Sequence, residues 1–138
     1  MAEEVVVKEV LTKEMIEAGA ELTRLLDQTP LVVSASLWLY IPESNIWRLI
    51  IVSPEVETFG PRKVYQKIQP VLSQILEEKP SIGLKDISVV ENGNPLIALL
   101  RMAIRTGDDI SGIRFSKNTI SGHFIEDAYI YRMTQGET

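Results

Sequence analysis

The sequence contains no cysteine and a single histidine, His123. The first absence excludes disulfides, thiolate nucleophiles and Cys-based zinc sites. The second confines any imidazole chemistry to one position. Basic residues are in deficit: 14 Lys and Arg stand against 19 Asp and Glu, a net charge of −5. A broad phosphate-binding surface needs clustered Lys and Arg, so nucleic acid and anionic membrane surfaces are poor partners for this chain. No window approaches the roughly eighteen uninterrupted apolar residues that span a bilayer. The opening MAEEVVVKEV is acidic and lacks the apolar core of a secretory signal, so the expected location is the cytoplasm. Motifs of common catalytic folds are missing too: there is no P-loop and no G-x-S-x-G.

What is present suffices for a core. Of the 138 residues, 45% are apolar and 24% charged. A domain of this size buries roughly two-thirds of its unfolded surface. Residues 1–138 are therefore expected to form a single α+β domain.

Local patterns supply the elements. TKEMIEAGAELTRLLDQ (12–28) has Thr12 as a helix N-cap and Met15, Ile16, Leu22, Leu25 and Leu26 along one face. LVVSASLWLYI (31–41) and IWRLIIV (46–52) are β-branched and aromatic, and PESN between them signals a turn. If Ile41 faces Ile46, then Tyr40 faces Trp47 and Trp38 faces Leu49, all four on one side of the sheet. Val33, Leu37, Leu39, Ile41, Ile46, Ile50 and Val52 take the other side. Both sides are apolar, so this hairpin is expected to be central and covered twice. SPEVETFG (53–60) reads as a loop. PRKVYQKIQPVLSQILEEK (61–79) reads as a helix with Pro61 at its first position and a kink at Pro70. LKDISVV (84–90) is a third strand, and Asn94-Pro95 opens a helix over 95–105 that is apolar almost all round and closed by a glycine cap at Thr106-Gly107. GIRFS (112–116) and GHFIEDAYIYR (122–132) form a second hairpin around KNTIS, and MTQGET frays. The element order is α-β-β-α-β-α-β-β. It predicts a mixed, mostly antiparallel five-stranded sheet with three helices, in which 61–79 and 95–105 can cross between parallel strands.

Three groups of residues are candidate sites. Gly60, Arg62 and Lys63 stand at a helix start, where free amides, the helix dipole and two cations could hold a small anion. Trp38, Tyr40, Trp47 and Leu49 form an aromatic patch, destined for the core or for a subunit or partner interface. Arg101 and Arg105 interrupt the apolar helix, and with His123 and Asp127 they make a polar cluster that is either a set of structural ion pairs or a ligand pocket. Strand alternation sends His123, Ile125, Asp127, Tyr129 and Tyr131 one way and Phe124, Glu126, Ala128, Ile130 and Arg132 the other. Glu126 then joins His123 and Asp127 only through a bulge. A metal site would need a distant acid such as Asp86, Glu91, Asp108 or Asp109. No metal or organic cofactor is implied.

The segments WLYIPESNIWRLIIVSP, GPRKVYQKIQ and GHFIEDAYIYR together resemble a family of small uncharacterised bacterial proteins of similar length, from about Leu31 onward. The resemblance implies a compact bacterial single-domain protein and carries no activity with it. Three functions are open. The first is a non-enzymatic interaction or assembly module, partnered by a second copy or another protein, because two apolar sheet faces and an apolar helix offer much adhesive surface. The second is an anion-binding protein using residues 60–63. The third is a metal-dependent hydrolase or nuclease using His123 and Asp127.

Overall fold

The sheet is built on the hairpin whose two strands carry the aromatic residues. In the computed structural model, which describes residues 7–76 and 82–135, β1 (Ala35–Ile41) pairs antiparallel with β2 (Ile46–Val52). The register is the expected one: Ile41 faces Ile46, Tyr40 faces Trp47 and Trp38 faces Leu49. The strand order is β3-β2-β1-β5-β4, with β3 at Ile87–Val90, β4 at Ile113–Ile120 and β5 at His123–Met133. Only β2–β3 is parallel; the other pairs are antiparallel. This is the mixed, mostly antiparallel α+β sheet implied by the element order, with β1 at its centre. Arg48 fastens the short β3, donating to Ser88 Oγ and to the carbonyls of Lys85 and Ile87.

Helices cover both faces unequally. α1 (Lys13–Leu26) starts at Thr12, whose hydroxyl accepts from the Met15 amide. α3 (Pro61–Leu76) runs through Pro70 without a break; the expected continuation at 77–79 lies outside the described residues, as do 136–138 of the tail. Leu22 and Leu26 of α1 and Val64, Ile68 and Leu72 of α3 bury Trp38, Tyr40, Trp47, Leu49 and Ile51. Val33, assigned by alternation to the opposite side, belongs to this cluster, because it precedes β1 and escapes its alternation. On the second face α4 (Pro95–Ala103) alone packs Ile97 and Leu100 over Leu37, Leu39, Ile50 and Val52.

Several local expectations are overturned. Residues 53–60 are not all loop: Glu55–Phe59 form a short helix, α2, because Pro54 (φ −64°) is preset for helix and Ser53 Oγ accepts from the Glu55 amide. Strand β3 is shorter than 84–90, since Leu84–Asp86 coil into a 3₁₀ turn. α4 ends at Ala103 rather than at a glycine cap, with Ile104 already extended. Nor is α4 covered on several sides; its outer face is open and Met102 is 66% exposed. It crosses the sheet from edge strand β3 to edge strand β4, so it does not join parallel neighbours. The second hairpin turns at Ser121-Gly122, both with positive φ, at the last residue of KNTIS and the glycine after it, while Lys117–Ile120 continue β4. A two-residue turn with both residues left-handed matches the twist of a hairpin. Among the described residues no helix is long and apolar enough to cross a membrane.

Candidate functional site

The most organised polar group lies where the residues before α1 cross the hairpin. Val7–Leu11 run as a strap over the first face of the sheet. The Glu9 amide donates to Asn45 Oδ1 (2.9 Å), Asn45 Nδ2 donates to the Val7 carbonyl (3.0 Å), and Trp47 Nε1 donates to the Glu9 carbonyl (2.8 Å). Asn45 can present its amide because it sits in the β1–β2 turn at φ 52°, a conformation asparagine tolerates. Tyr40 Oη donates to the same Asn45 oxygen at 2.6 Å. Leu11 enters the core and Lys8 is half-buried, while Val7, Glu9 and Val10 point to solvent.

Lys8 reaches a seat of two carboxylates and two rings. Its Nζ is 2.7 Å from Asp127 Oδ2 and 3.8 Å from Glu126 Oε1. It lies 4.8 Å from the Tyr40 ring centroid and 5.8 Å from that of Trp47, within the range of a cation–π contact. Arg114 grips Asp127 with two hydrogen bonds of 2.7 Å and stacks 5.6 Å from the Trp47 centroid. The Asp127 side chain is 5% exposed. Burial alone pushes its pKa up, but the hydrogen bonds and charges of Arg114 and Lys8 outweigh burial and hold it below the ordinary carboxylate range. The hydrogen bond to Asp127 correspondingly raises Arg114. A carboxylate held this firmly ionised is a weak general base and a good counter-ion. The arrangement binds an ammonium and a peptide backbone; it holds no poised nucleophile. A cleft of about 240 Å³ opens between the strap, Trp47 and Arg114.

Glu126 and Asp127 were expected on opposite sides of β5, yet both reach Lys8. Alternation fails between Ile125 and Ala128, which share the second-face cluster. Opposite this point Lys117 adopts φ 49°, and the ladder passes from Ser116–Asp127 to Asn118–Ile125. A second irregularity falls where Ser36 pairs with Arg132 but Leu37 with Ile130. It lets Tyr131 and Arg132 both face α1: Tyr131 Oη donates to the Ile16 carbonyl, and Arg132 forms a two-pronged pair with Asp27.

Comparison with known proteins adds nothing to this reading. No family model, curated protein or solved structure matches the chain. The site therefore rests on its own residues.

The other candidate residues are dispersed. His123 is exposed beside the hairpin turn, its Nδ1 3.1 Å from the Ser121 carbonyl, and it lies four residue steps along the strand from Asp127, about 13 Å. Arg101 clamps the loop before α4 to the chain's end, donating to the carbonyls of Asn92 (2.7 Å) and Thr134 (2.8 Å). Arg105 is exposed, near the Gln135 amide. Of that proposed cluster only Asp127 enters the site. Among the described residues, no three acids or histidines are grouped to hold a metal. Trp38 and Leu49 are wholly buried, with Tyr40 and Trp47 nearly so; the last two are core on one side and seat on the other. At the start of α3, Arg62 and Lys63 are exposed, but the Gly60 amide already donates to the Val56 carbonyl as the cap of α2. Lys8, Asn45 and Arg114 escaped sequence reasoning. The only local signals were an asparagine in a turn and an arginine on a strand beside the acids.

Proposed function

We propose that this protein is a non-enzymatic interaction module that self-associates through the face carrying the N-terminal strap. The observation that carries this reading is the strap's outer surface: Val7 and Val10 are 75% and 70% exposed on an extended segment already fixed to the sheet. Apolar side chains held outward on a rigid backbone gain most from being covered by a partner. The edge strands are less suited to association. β3 has four residues, and β4 carries Arg114 and Lys117, with Lys117 at φ 49° interrupting its free edge. Charged and irregular edges discourage strand addition. A two-fold contact would set the strap faces of two copies together.

Sedimentation over a concentration series tests this. The wild type is expected to approach twice the 15.5 kDa chain mass. Val7→Asp/Val10→Asp is expected to stay at one chain mass with its thermal midpoint unchanged, because neither valine contributes to the core. A wild type that remains monomeric at the highest concentration overturns the reading.

A further inference from the structure

The strap is itself a bound ligand, and it shows what the surface beneath it selects. Three of its backbone atoms are met by side chains of Asn45 and Trp47. Only two of its five side chains turn inward: Lys8 into the seat of Tyr40, Trp47, Glu126 and Asp127, and Leu11 into the core. The strap's hydrogen bonds to this surface link residues 36 to 119 apart in sequence. We infer that this surface is a recognition site for an extended lysine-x-x-leucine segment, and that the segment it takes in trans is the strap of a second copy, exchanged within the dimer. The inference of exchange rests on the self-association proposed above.

The occupant is a second copy of this chain. The cis ligand already demonstrates the fit, so the same segment from another copy makes the same contacts. Thr12, between the strap and α1, is extended (φ −79°, ψ 160°), so a redirected strap needs no helix to unwind. Exchange of an identical element between copies is a low-cost route to a dimer. A Lys8→Ala chain is expected to fold, because Arg114 makes two hydrogen bonds to Asp127 independently of Lys8.

Two experiments on the full chain separate the seat from the exchange. Lys8→Ala should lower the thermal midpoint by about 3 °C, the shift expected of roughly 1 kcal/mol in a domain of this size. n-Butylammonium, at an ionic strength matched with NaCl, should restore at least half of that loss and move the Trp47 indole N–H resonance. It should leave wild type unaffected, and 1-butanol should do neither. Rescue by 1-butanol, or no rescue, removes the ammonium seat. For the exchange, Lys8→Ala is mixed with Asp127→Asn. An exchanged heterodimer regains one native seat, so it should form in more than the statistical share of half. A statistical mixture overturns the exchange, as does a monomeric wild type, which at the same time removes the self-association reading but leaves the rescue interpretable. Should Asp127→Asn not fold, Glu126→Gln/Tyr40→Leu replaces it as the chain with a damaged seat and an intact strap, under the same criterion.

Discussion

Gly19→Ala is expected to destabilise the protein by about 2 kcal/mol, although alanine is the better helix former. A methyl group at Gly19 would stand 2.7 Å from Trp38 Nε1 and closer still to Tyr131 Oη. Neither group can retreat easily. Trp38 is wholly buried and its Nε1 donates to the Met15 carbonyl (3.2 Å) and Tyr131 Oη (3.0 Å). Tyr131 is 1% exposed and donates to the Ile16 carbonyl at 2.6 Å. Burial holds its phenol well above its usual pKa, so it stays a donor throughout the ordinary pH range. Overpacking of this kind costs roughly 3 kcal/mol, and the helix propensity of alanine returns about 1 kcal/mol. The decisive measurement is a double-mutant cycle by urea unfolding. Tyr131→Phe removes the obstructing oxygen, so Gly19→Ala/Tyr131→Phe should be more stable than the two single losses combined would allow. Strict additivity would mean that α1 does not approach the sheet through Gly19.

The first hairpin was legible because a polar turn fixed Ile41 against Ile46, and alternation then set every other pair. Thr12 and Asn94 announced their helices through side chains that accept amides two to three residues onward. In the second hairpin, KNTIS has turn composition, but the turn was made by Ser121-Gly122, where two left-handed residues suit the strand twist. A turn at KNTIS would set Ser116 near Gly122, whereas it faces Asp127. That displacement hid Arg114, which faces Tyr129, two positions from Asp127, and reaches it along the diagonal. The strap was invisible for a simpler reason. Its partners lie on β1, in the β1–β2 turn, on β2 and on β5, so VKEVL (7–11) carries no local sign of where it docks. Asp127 was legible as a strand acid in a polar cluster, but not with Arg101, Arg105 and His123: its partners Lys8 and Arg114 come from two segments that only tertiary folding brings together.

Asp127→Asn is the second large expected effect, at about 2 kcal/mol near neutral pH. The substitution keeps the shape and removes the charge, leaving Lys8 and Arg114 to face each other over the same rings. Breaking a buried pair costs roughly 3–5 kcal/mol. Here the cations are 37% and 48% exposed, so water partly solvates them after the change and the cost falls below that range. Its pH dependence has a definite sign. The folded pKa of Asp127 lies below the value of about 3.9 that the carboxyl has in the unfolded chain. The contribution is therefore fully present above the unfolded value and is lost as pH falls through the lower folded pKa. Wild type and Asp127→Asn should differ most above about pH 5 and converge in the most acid conditions where the wild type still folds. Glu55, held below its ordinary range chiefly by Lys67 against the opposing effect of burial, loses its contribution over the same acid range. It is common to both proteins, so it cancels from their difference. Thermal midpoints of the pair across an acid pH series provide the check. A gap that stays constant with pH would show that Asp127 is held by packing and not by its two cations, and the seat beneath the strap would lose its electrostatic basis.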